Sequence, residues 1–398
     1  MTVQMHERAI EKIKDVIREL ITNPAMREGP PYFNYKSAPF ESIASELNKR
    51  KNGFDASSLI CEFIFLSTYD HYRRENSLSA TSEITPENIT SLVEMVFDCY
   101  NATPFEYESE FPLKQLGTLP NFNDYPFVNI GIDRVSRLGL IEAFDEYSVF
   151  KIRDAGCFTG FYPASFMKAI FQKLNVFIFL LEKRKVIKRK SRMHSALSFP
   201  AFMEDYIRGE PAHRITVKNI SYPYMSTTSN LSLSVSKYLS EIIINSDLPD
   251  GRKEQEIIEC LNITNSLLQH ESKEALRIRA AIDWLVQSDV VDDEAISFIQ
   301  ICMGLESVFG DDDNEGSLTT ILADRCAYLI GKNIKDRREI KNLFRDIYRI
   351  RSKIVHGVRN HLSEKEEYLQ HIARAFLSRS ILKEIDNLEL LLNVAHDE

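Results

Sequence analysis

Apolar residues recur with a helical period at the start of the chain. Within residues 6–20 the apolar side chains that share one helix face are Ile10, Ile13, Val16, Ile17 and Leu20. A second helix is predicted over residues 57–73. A third begins at Thr85 and Pro86, because the hydroxyl can cap the first turn and proline suits the first helical position.

The pattern changes over residues 101–163, where prolines recur and short β-branched or alternating runs appear. The runs at residues 127–132 and 147–152 favour strands. A helix is predicted over residues 164–192, and a strand at residues 213–220. The N-terminal region, residues 1–245, is therefore expected to be mostly helical with a few short strands, and to be a sensing or regulatory region that can subdivide near residues 101–163.

A domain boundary is predicted at residues 245–251, which read NSDLPDG and combine turn formers with a helix breaker. Helical patterns then cover residues 254–270, 273–288, 292–309, 318–330, 336–356 and 364–393. Gly310, Gly331 and Gly357 stand just past helix ends, where a left-handed cap favours glycine. The predicted fold class is mainly α, with a helical bundle over residues 254–398.

The composition limits the classes of function. A chain of 398 residues is long enough for two or three domains. Its net charge of −9 gives no overall attraction to nucleic acid or anionic membrane, so a polyanion site must be a local basic patch. The six cysteines are dispersed, which is typical of reduced buried thiols and argues against a zinc site. No cofactor, signal peptide or membrane span is expected, and the chain is predicted to be cytoplasmic.

Two charged residues interrupt apolar helix faces. Arg351 falls between Phe344 and Ile347 on the apolar face of the helix over residues 336–356, and Glu306 is similarly placed in the helix over residues 292–309. A buried charge without a partner is costly, so we expect these two to pair. The pair can orient the arginine for function or can be structural only, and the periodicity leaves both alternatives open.

His356 stands at the end of the helix that carries Arg351. A helix C-terminus favours the imidazolium form and nearby arginines disfavour it, so the group suits a general acid or base near neutral pH. Its position five residues after Arg351 places the two about 140° apart on a regular helix. A histidine at a helix end can also be a capping residue alone.

The sequence YRIRSKIVHG, from Tyr348 to Gly357, resembles the Y-x-x-R-S-x-x-V-H-G signature of Apea-like HEPN domains. The segments AAIDW at 280–284, GLESVF at 304–309 and LADRCAYLIG at 322–331 also resemble that family in the same order. The resemblance covers about residues 273–360 and leaves the first 250 residues without a recognised family.

The resemblance implies a helical, dimeric endoribonuclease that cuts RNA without a metal ion. By position, Arg351 would stabilise charge at phosphorus, His356 would move protons, and Ser352 would orient the scissile group, leaving a 2′,3′-cyclic phosphate. Glu306 and Tyr348 would support this site. The residues beside the motif that are candidate RNA contacts are Arg349, Lys353 and Arg359. By the same resemblance, the protein would be a bacterial antiviral or abortive-infection effector.

A second basic feature is the run over residues 183–192. Its candidate RNA-binding members are Lys183, Arg184, Lys188 and Arg189. The run can bind phosphates or can be a solvated helix end, and the absence of interleaved aromatic residues favours the second alternative. Two other functions also remain open for the chain: a non-catalytic module that binds RNA, nucleotide or protein, and a toxin controlled by a phage-derived or antitoxin partner.

Overall fold

The computed structural model describes residues 7–22, 27–29, 32–33, 58–77, 86–136, 144–156, 158, 164–189, 214–310, 318–358 and 360–396. Two compact units divide the chain. The first comprises residues 1–109, 153–168 and 216–228, and the second comprises residues 110–152, 169–215 and 229–398. The whole segment 254–398 therefore lies in the second unit, and the domain boundary proposed at residues 245–251 stays a prediction.

The first unit begins with helices α1 (Glu7–Thr22), α2 (Ser58–Glu75) and α3 (Pro86–Asn101), together with the short strands β1 (Arg27–Gly29) and β2 (Tyr32–Phe33). The amphipathic pattern of α1 is confirmed, because Ile13 and Ile17 are buried. Pro86 occupies the first position of α3 as predicted, whereas its expected cap, Thr85, lies outside the described residues.

A five-stranded antiparallel sheet overturns the expected fold class. Its order is β4-β5-β3-β7-β8, and the strands are β3 (Phe105–Leu113), β4 (Val128–Ser136), β5 (Phe144–Gly156), β7 (Arg214–Asn219) and β8 (Thr227–Asn230). The expectation of a mainly α chain with a few short strands is thus wrong, and the fold is mixed α and β. The strands expected near residues 127–132, 147–152 and 213–220 are confirmed as parts of β4, β5 and β7.

Strand β3 shows why the sheet is larger than expected. Its side chains alternate between buried and more exposed positions over all nine residues, FEYESEFPL, as a strand with one buried face requires. Two half-buried glutamates on the more exposed face meet cations of β5: Arg153 Nε lies 3.0 Å from Glu108, and Lys151 Nζ lies 4.0 Å from Glu110. Pro112 and the polar positions concealed this alternation in the sequence, because proline within a run argues against a strand.

Helix α4 (Ala164–Lys183) ends nine residues earlier than the predicted position 192. Lys185 has a φ of 62°, a left-handed conformation that stops a helix. Strand β6 (Ile187–Arg189) follows and pairs antiparallel with β9 (Ile242–Ile244). The β-branched residues of these strands therefore satisfy their backbone groups in a sheet. Helix α5 (Leu233–Ser240), which the sequence pattern did not reveal, precedes β9.

The helical bundle predicted for the C-terminal region is confirmed. Its helices are α6 (Asp250–Gln269), α7 (Lys273–Val290), α8 (Glu294–Phe309), α9 (Leu318–Ile330), α10 (Ile334–Val355) and α11 (Glu364–His396). Helix α8 lies at the centre, and Gly304 permits its close approach to α11. A Cβ atom at this position would lie 2.5 Å from Leu377 Cδ2 and 3.4 Å from the Ala281 carbonyl oxygen. Among the described residues, no helix is long and apolar enough to cross a bilayer.

The three glycines that follow helix ends behave differently. Gly357 has the predicted left-handed conformation, with a φ of 68°. Its N–H donates to Ile354 O, and the N–H of Val358 donates to Lys353 O, which together form a Schellman cap. The left-handed expectation is wrong for Gly310, whose φ is −69°, and for Gly331, which is not among the positive-φ residues.

Candidate active site

Helix α10 divides the sequence motif between two faces. Ile340, Phe344 and Ile347 are buried against the bundle. Ser352 and His356 are exposed to solvent, whereas Arg351 is only half-buried. The division follows from the helical period, because positions about 100° apart per residue cannot all face the same neighbour. The motif therefore contributes one part to the packed interior and another part to the surface.

Arg351 pairs with Glu306 as expected. Its Nη2 atom lies 3.2 Å from Glu306 Oε1, across the space between α10 and α8. The expectation that both are buried is corrected by their exposure, since the two side chains are 32% and 27% exposed. The pair lies at the edge of the bundle, because Arg351 reaches along the helix toward solvent while its neighbours Phe344 and Ile347 fill the interior.

Tyr348 completes a polar cluster with this ion pair. Its ring is buried and stacks on Phe344, with the ring centres 4.8 Å apart. Burial raises the pKa of the Tyr348 hydroxyl, and the nearby Cys302 and Glu306 raise it further. The hydroxyl therefore remains protonated at neutral pH and is a hydrogen-bond donor. The thiol of Cys302, which is fully buried, likewise has a raised pKa because of desolvation.

Three atoms in this cluster are buried without a hydrogen-bond partner among the described residues: Glu306 Oε1, Tyr348 Oη and Arg351 Nε. The Arg351–Glu306 contact is thus a close ion pair that is not aligned as a hydrogen bond. Buried polar atoms in native proteins are nearly always paired. Here the three side chains lie against one another, since Arg351 contacts Glu306 and Glu306 also acts on the Tyr348 hydroxyl.

His356 lies at the C-terminal end of α10, one residue before the left-handed Gly357. Its backbone N–H donates to Ser352 O at 3.0 Å, so the backbone holds the residue while its exposed side chain faces solvent. Among the described residues, no hydrogen bond or ion pair joins His356 to Arg351. The fold brings Arg351, Glu306 and Tyr348 together, and it places His356 with Ser352 on the outer face about 140° away.

The candidate RNA contacts beside the motif differ in their surroundings. Arg349 is exposed and contacts Asp346 one turn away, with Nη1 2.7 Å from the carboxylate. Lys353 is half-buried. Arg359 lies outside the described residues. An exposed ion pair between neighbouring turns contributes little to stability, so Arg349 can exchange Asp346 for an external anion at small cost.

The basic run on α4 and β6 has carboxylate partners within the chain. Lys183 lies 3.6 Å from Glu182, and Arg184 lies 2.6 Å from Glu259. Lys188 lies 3.6 Å from Asp247. These pairs favour the alternative in which the run is part of a charged surface, and its RNA-binding role stays a prediction.

Among Lys183, Arg184, Lys188 and Arg189, Arg189 is the most enclosed. It lies 2.5 Å from Asp289 and 3.2 Å from Glu182, and its guanidinium lies 4.7 Å from the centre of the Tyr238 ring. Burial by itself lowers the pKa of Arg189, but the surrounding groups outweigh it and raise the pKa. Asp289 also contacts Arg374 of α11. This network joins several elements of the second unit and leaves Arg189 no free face for RNA.

A cleft of about 570 Å³ lies beside α9 and was not indicated by the sequence. Its charged lining residues are Glu274, Arg277, Arg325 and Glu384. Burial raises the pKa of Glu384, and the negative charge of Glu274 adds to the shift. These residues come from three different helices, so no linear motif could have revealed the cleft.

The chain was compared with protein-family models, curated proteins and solved structures, and no match was found. The resemblance to Apea-like HEPN domains therefore rests on the residues of the motif and stays a prediction. Among the described residues, no group of three or more His, Cys, Asp or Glu side chains is placed to hold a metal ion.

Proposed function

We propose that this protein is an endoribonuclease of the HEPN type, whose R-x4-H motif cuts RNA without a metal ion. The observation that supports it best is the arrangement of α10. Arg351 is held beside Glu306 at the edge of the bundle, and the same helix ends with an exposed histidine on a Schellman cap. An anchored cation and a solvent-accessible imidazole are the two groups that a metal-free phosphoryl transfer needs.

The proposed reaction is an internal transfer at phosphorus. The 2′-oxygen of the substrate attacks the adjacent phosphorus while the bond from phosphorus to the 5′-oxygen breaks. His356 takes the proton of the 2′-hydroxyl or gives a proton to the leaving 5′-oxygen. Arg351 offsets the negative charge that develops on the phosphoryl oxygens, and Ser352 orients the scissile group. The products are a 2′,3′-cyclic phosphate and a free 5′-hydroxyl.

A second copy of the chain solves a geometric difficulty of this proposal. Arg351 and His356 project about 140° apart on one helix, so a single protomer cannot direct both at one phosphate. In a homodimer, the His356 of one protomer can face the Arg351 of the other. Val355 and Val358 flank His356 and are 50% and 69% exposed, which gives the proposed contact an apolar component.

The cellular role follows from the same resemblance. We infer a cytoplasmic effector of bacterial antiviral defence or abortive infection, in which residues 1–245 sense a trigger and restrain the nuclease. A phage-derived activator or an antitoxin would be the controlling protein partner. This part of the proposal depends on the nuclease activity and is tested after it.

The test is cleavage of total tRNA and ribosomal RNA in EDTA by the purified full chain and by His356→Ala. His371→Ala, which removes an exposed histidine of α11, is the matched control. We expect cleavage by the parent and the control, with a 2′,3′-cyclic phosphate at the new end, and no cleavage by folded His356→Ala. Full cleavage by folded His356→Ala would overturn the mechanism.

The alternative function is a non-catalytic module that binds RNA, nucleotide or protein. It is favoured by one observation, since no hydrogen bond or ion pair joins His356 to Arg351 among the described residues. If neither the parent nor the control cuts RNA while the dimer forms, this alternative replaces the nuclease.

A further inference from the structure

One exposed ridge runs along the whole outer side of α10. Its members are Lys335, Arg338, Asn342, Arg345, Arg349, Ser352 and His356, and all seven are exposed. Their spacing alternates between three and four residues, which keeps them on one face of a helix. The face is opposite to the one that carries Ile340, Phe344 and Ile347 in the core. We call these seven residues the basic ridge.

The length of the basic ridge suits an extended ligand. Lys335 and His356 are 21 positions apart, which corresponds to about 31 Å at 1.5 Å per residue. His356, the proposed proton-transfer group, and Ser352, which orients the scissile group, lie at one end. Four cations and Asn342 occupy the rest of the ridge, so an RNA strand that follows them is led to the motif.

The charge of α10 contrasts with that of the chain. Its cationic residues are Lys335, Arg337, Arg338, Lys341, Arg345, Arg349, Arg351 and Lys353, and its acidic residues are Asp336, Glu339 and Asp346. This excess of five positive charges (eight minus three) occurs in a protein of net charge −9. A local basic surface on an acidic protein is the kind of patch that attracts a polyanion.

The ridge cations also differ from the basic run of α4 and β6. Within the described part of the chain, Lys335, Arg338 and Arg345 form no ion pair. Arg349 has only its exposed neighbour Asp346. By contrast, Arg184 and Arg189 are held by carboxylates at 2.6 Å and 2.5 Å. The ridge therefore keeps its charges available to an external anion.

An exposed aromatic ring lies against the N-terminal half of α10, on the side that faces α9. Tyr328 of α9 is 64% exposed. Arg337 lies 4.8 Å and Lys341 5.6 Å from its ring centre, and both belong to α10. Proteins that bind single-stranded nucleic acid combine a cationic track with aromatic side chains on which bases stack. Double-stranded RNA offers no unstacked base to such a ring.

We propose that the basic ridge of α10 is the track for the backbone of a single-stranded RNA segment, with Tyr328 as a stacking platform near its entry. The ridge leads the scissile phosphate to Ser352 and His356. This assignment rests on the proposed function for the identity of the ligand. It adds the strandedness of the substrate and the direction from which it enters.

The test measures binding in the His356→Ala background, so that cleavage does not consume the probe. The probe is a fluorescent 20-nucleotide oligouridine, with a duplex of equal length for comparison. The ridge variant is Arg338→Glu with Arg345→Glu. The matched control is Arg252→Glu with Lys365→Glu, which makes the same change of net charge at exposed positions outside α10. Circular dichroism and thermal melts confirm that both variants fold.

We expect the parent to bind the single strand at least about tenfold more tightly than the duplex, and the ridge variant to lose about tenfold or more in affinity. The slope of log K against log salt should fall by about 1.4, because about 0.7 is lost for each phosphate contact removed. Tyr328→Ala should lose the preference for the single strand. The control should retain the parent affinity.

The outcomes separate the two proposals. Three outcomes would each overturn the proposal that the ridge binds single-stranded RNA. They are equal affinities of the ridge variant and the control, tighter binding of the duplex than of the single strand, and no RNA binding by the parent. If RNA is cleaved and the ridge variant binds RNA normally, the nuclease proposal is supported and the ridge proposal is refuted. If only the ridge variant loses RNA binding and none of the proteins cuts RNA, the ridge proposal is supported and the nuclease proposal is refuted.

Discussion

The guanidinium of Arg351 lies 3.2 Å from the carboxylate of Glu306, on a different helix, and both side chains remain partly exposed. The contact joins α8 to α10 at the arginine of the proposed cleavage motif. Because solvent reaches both groups, the pair contributes modestly to stability. Its stronger effect is to hold the direction of the arginine. The two consequences can be separated experimentally.

Glu306→Gln should lower RNA cleavage about tenfold or more while changing the free energy of unfolding by less than about 1 kcal/mol. The substitution keeps the shape of the side chain but removes the charge that orients Arg351. Cleavage rates and urea unfolding curves measure the two effects. Glu339→Gln, an exposed carboxylate on α10, is the control. Unchanged cleavage in Glu306→Gln would show that the pair is structural only.

Tyr348→Phe should reduce the loss of stability at high pH. Burial raises the pKa of Tyr348 in the folded chain, whereas the pKa of a tyrosine in an unfolded chain is about 10. The stabilisation that comes from the raised pKa of Tyr348 is therefore complete below that pH. It is lost as the pH rises toward the pKa of Tyr348 in the folded chain. The free energy of unfolding, measured in urea between pH 8 and about 11, should decline less steeply with pH for Tyr348→Phe than for the parent.

The control for this titration is Tyr328→Phe, since that ring is 64% exposed, and it should follow the parent curve. At neutral pH the loss of the Tyr348 hydroxyl should cost about 1 kcal/mol, the usual net contribution of one side-chain hydrogen bond, since the hydroxyl interacts with Glu306. A decline as steep as that of the parent would refute the protonated, buried state assigned to Tyr348.

Gly357→Ala should destabilise the protein by about 1 kcal/mol. The cause is conformational, because a Cβ at this position meets no atom within 4 Å but the φ of 68° is strained for alanine. Gly251→Ala is a matched control, since its Cβ also enters open space and its φ is not positive. Thermal melts should show a lower Tm for Gly357→Ala and an unchanged or higher Tm for Gly251→Ala. Equal melting would contradict the role of the left-handed cap.

Helices could be predicted from the sequence where only one face of the helix is buried. The apolar period gave the helices of the C-terminal bundle to within about four residues at each end. The opposite charges of Arg351 and Glu306 also predicted their contact, because each interrupts an apolar stripe. Their partial exposure could not be predicted, since it depends on where the edge of the bundle lies.

Strand pairing was much less predictable. Strand β3 alternates correctly but contains Pro112 and three glutamates. Two of these, Glu108 and Glu110, become favourable only when Arg153 and Lys151 of β5 lie across from them. Ile187 continues the apolar pattern of α4, yet the positive φ of Lys185 diverts it to a strand beside β9. In both cases the decisive partner is distant in the sequence.

The sequence by itself determined the helical bundle, the position of the motif at the end of α10 and the left-handed turn at Gly357. These features depend on local periodicity and on the conformational freedom of single residues. Only the tertiary structure decided that a five-stranded sheet precedes the bundle, that the cations of β6 are paired, and that Arg351 and Glu306 remain partly exposed. Those features depend on contacts between residues far apart in the chain, and a local pattern carries no information about such partners.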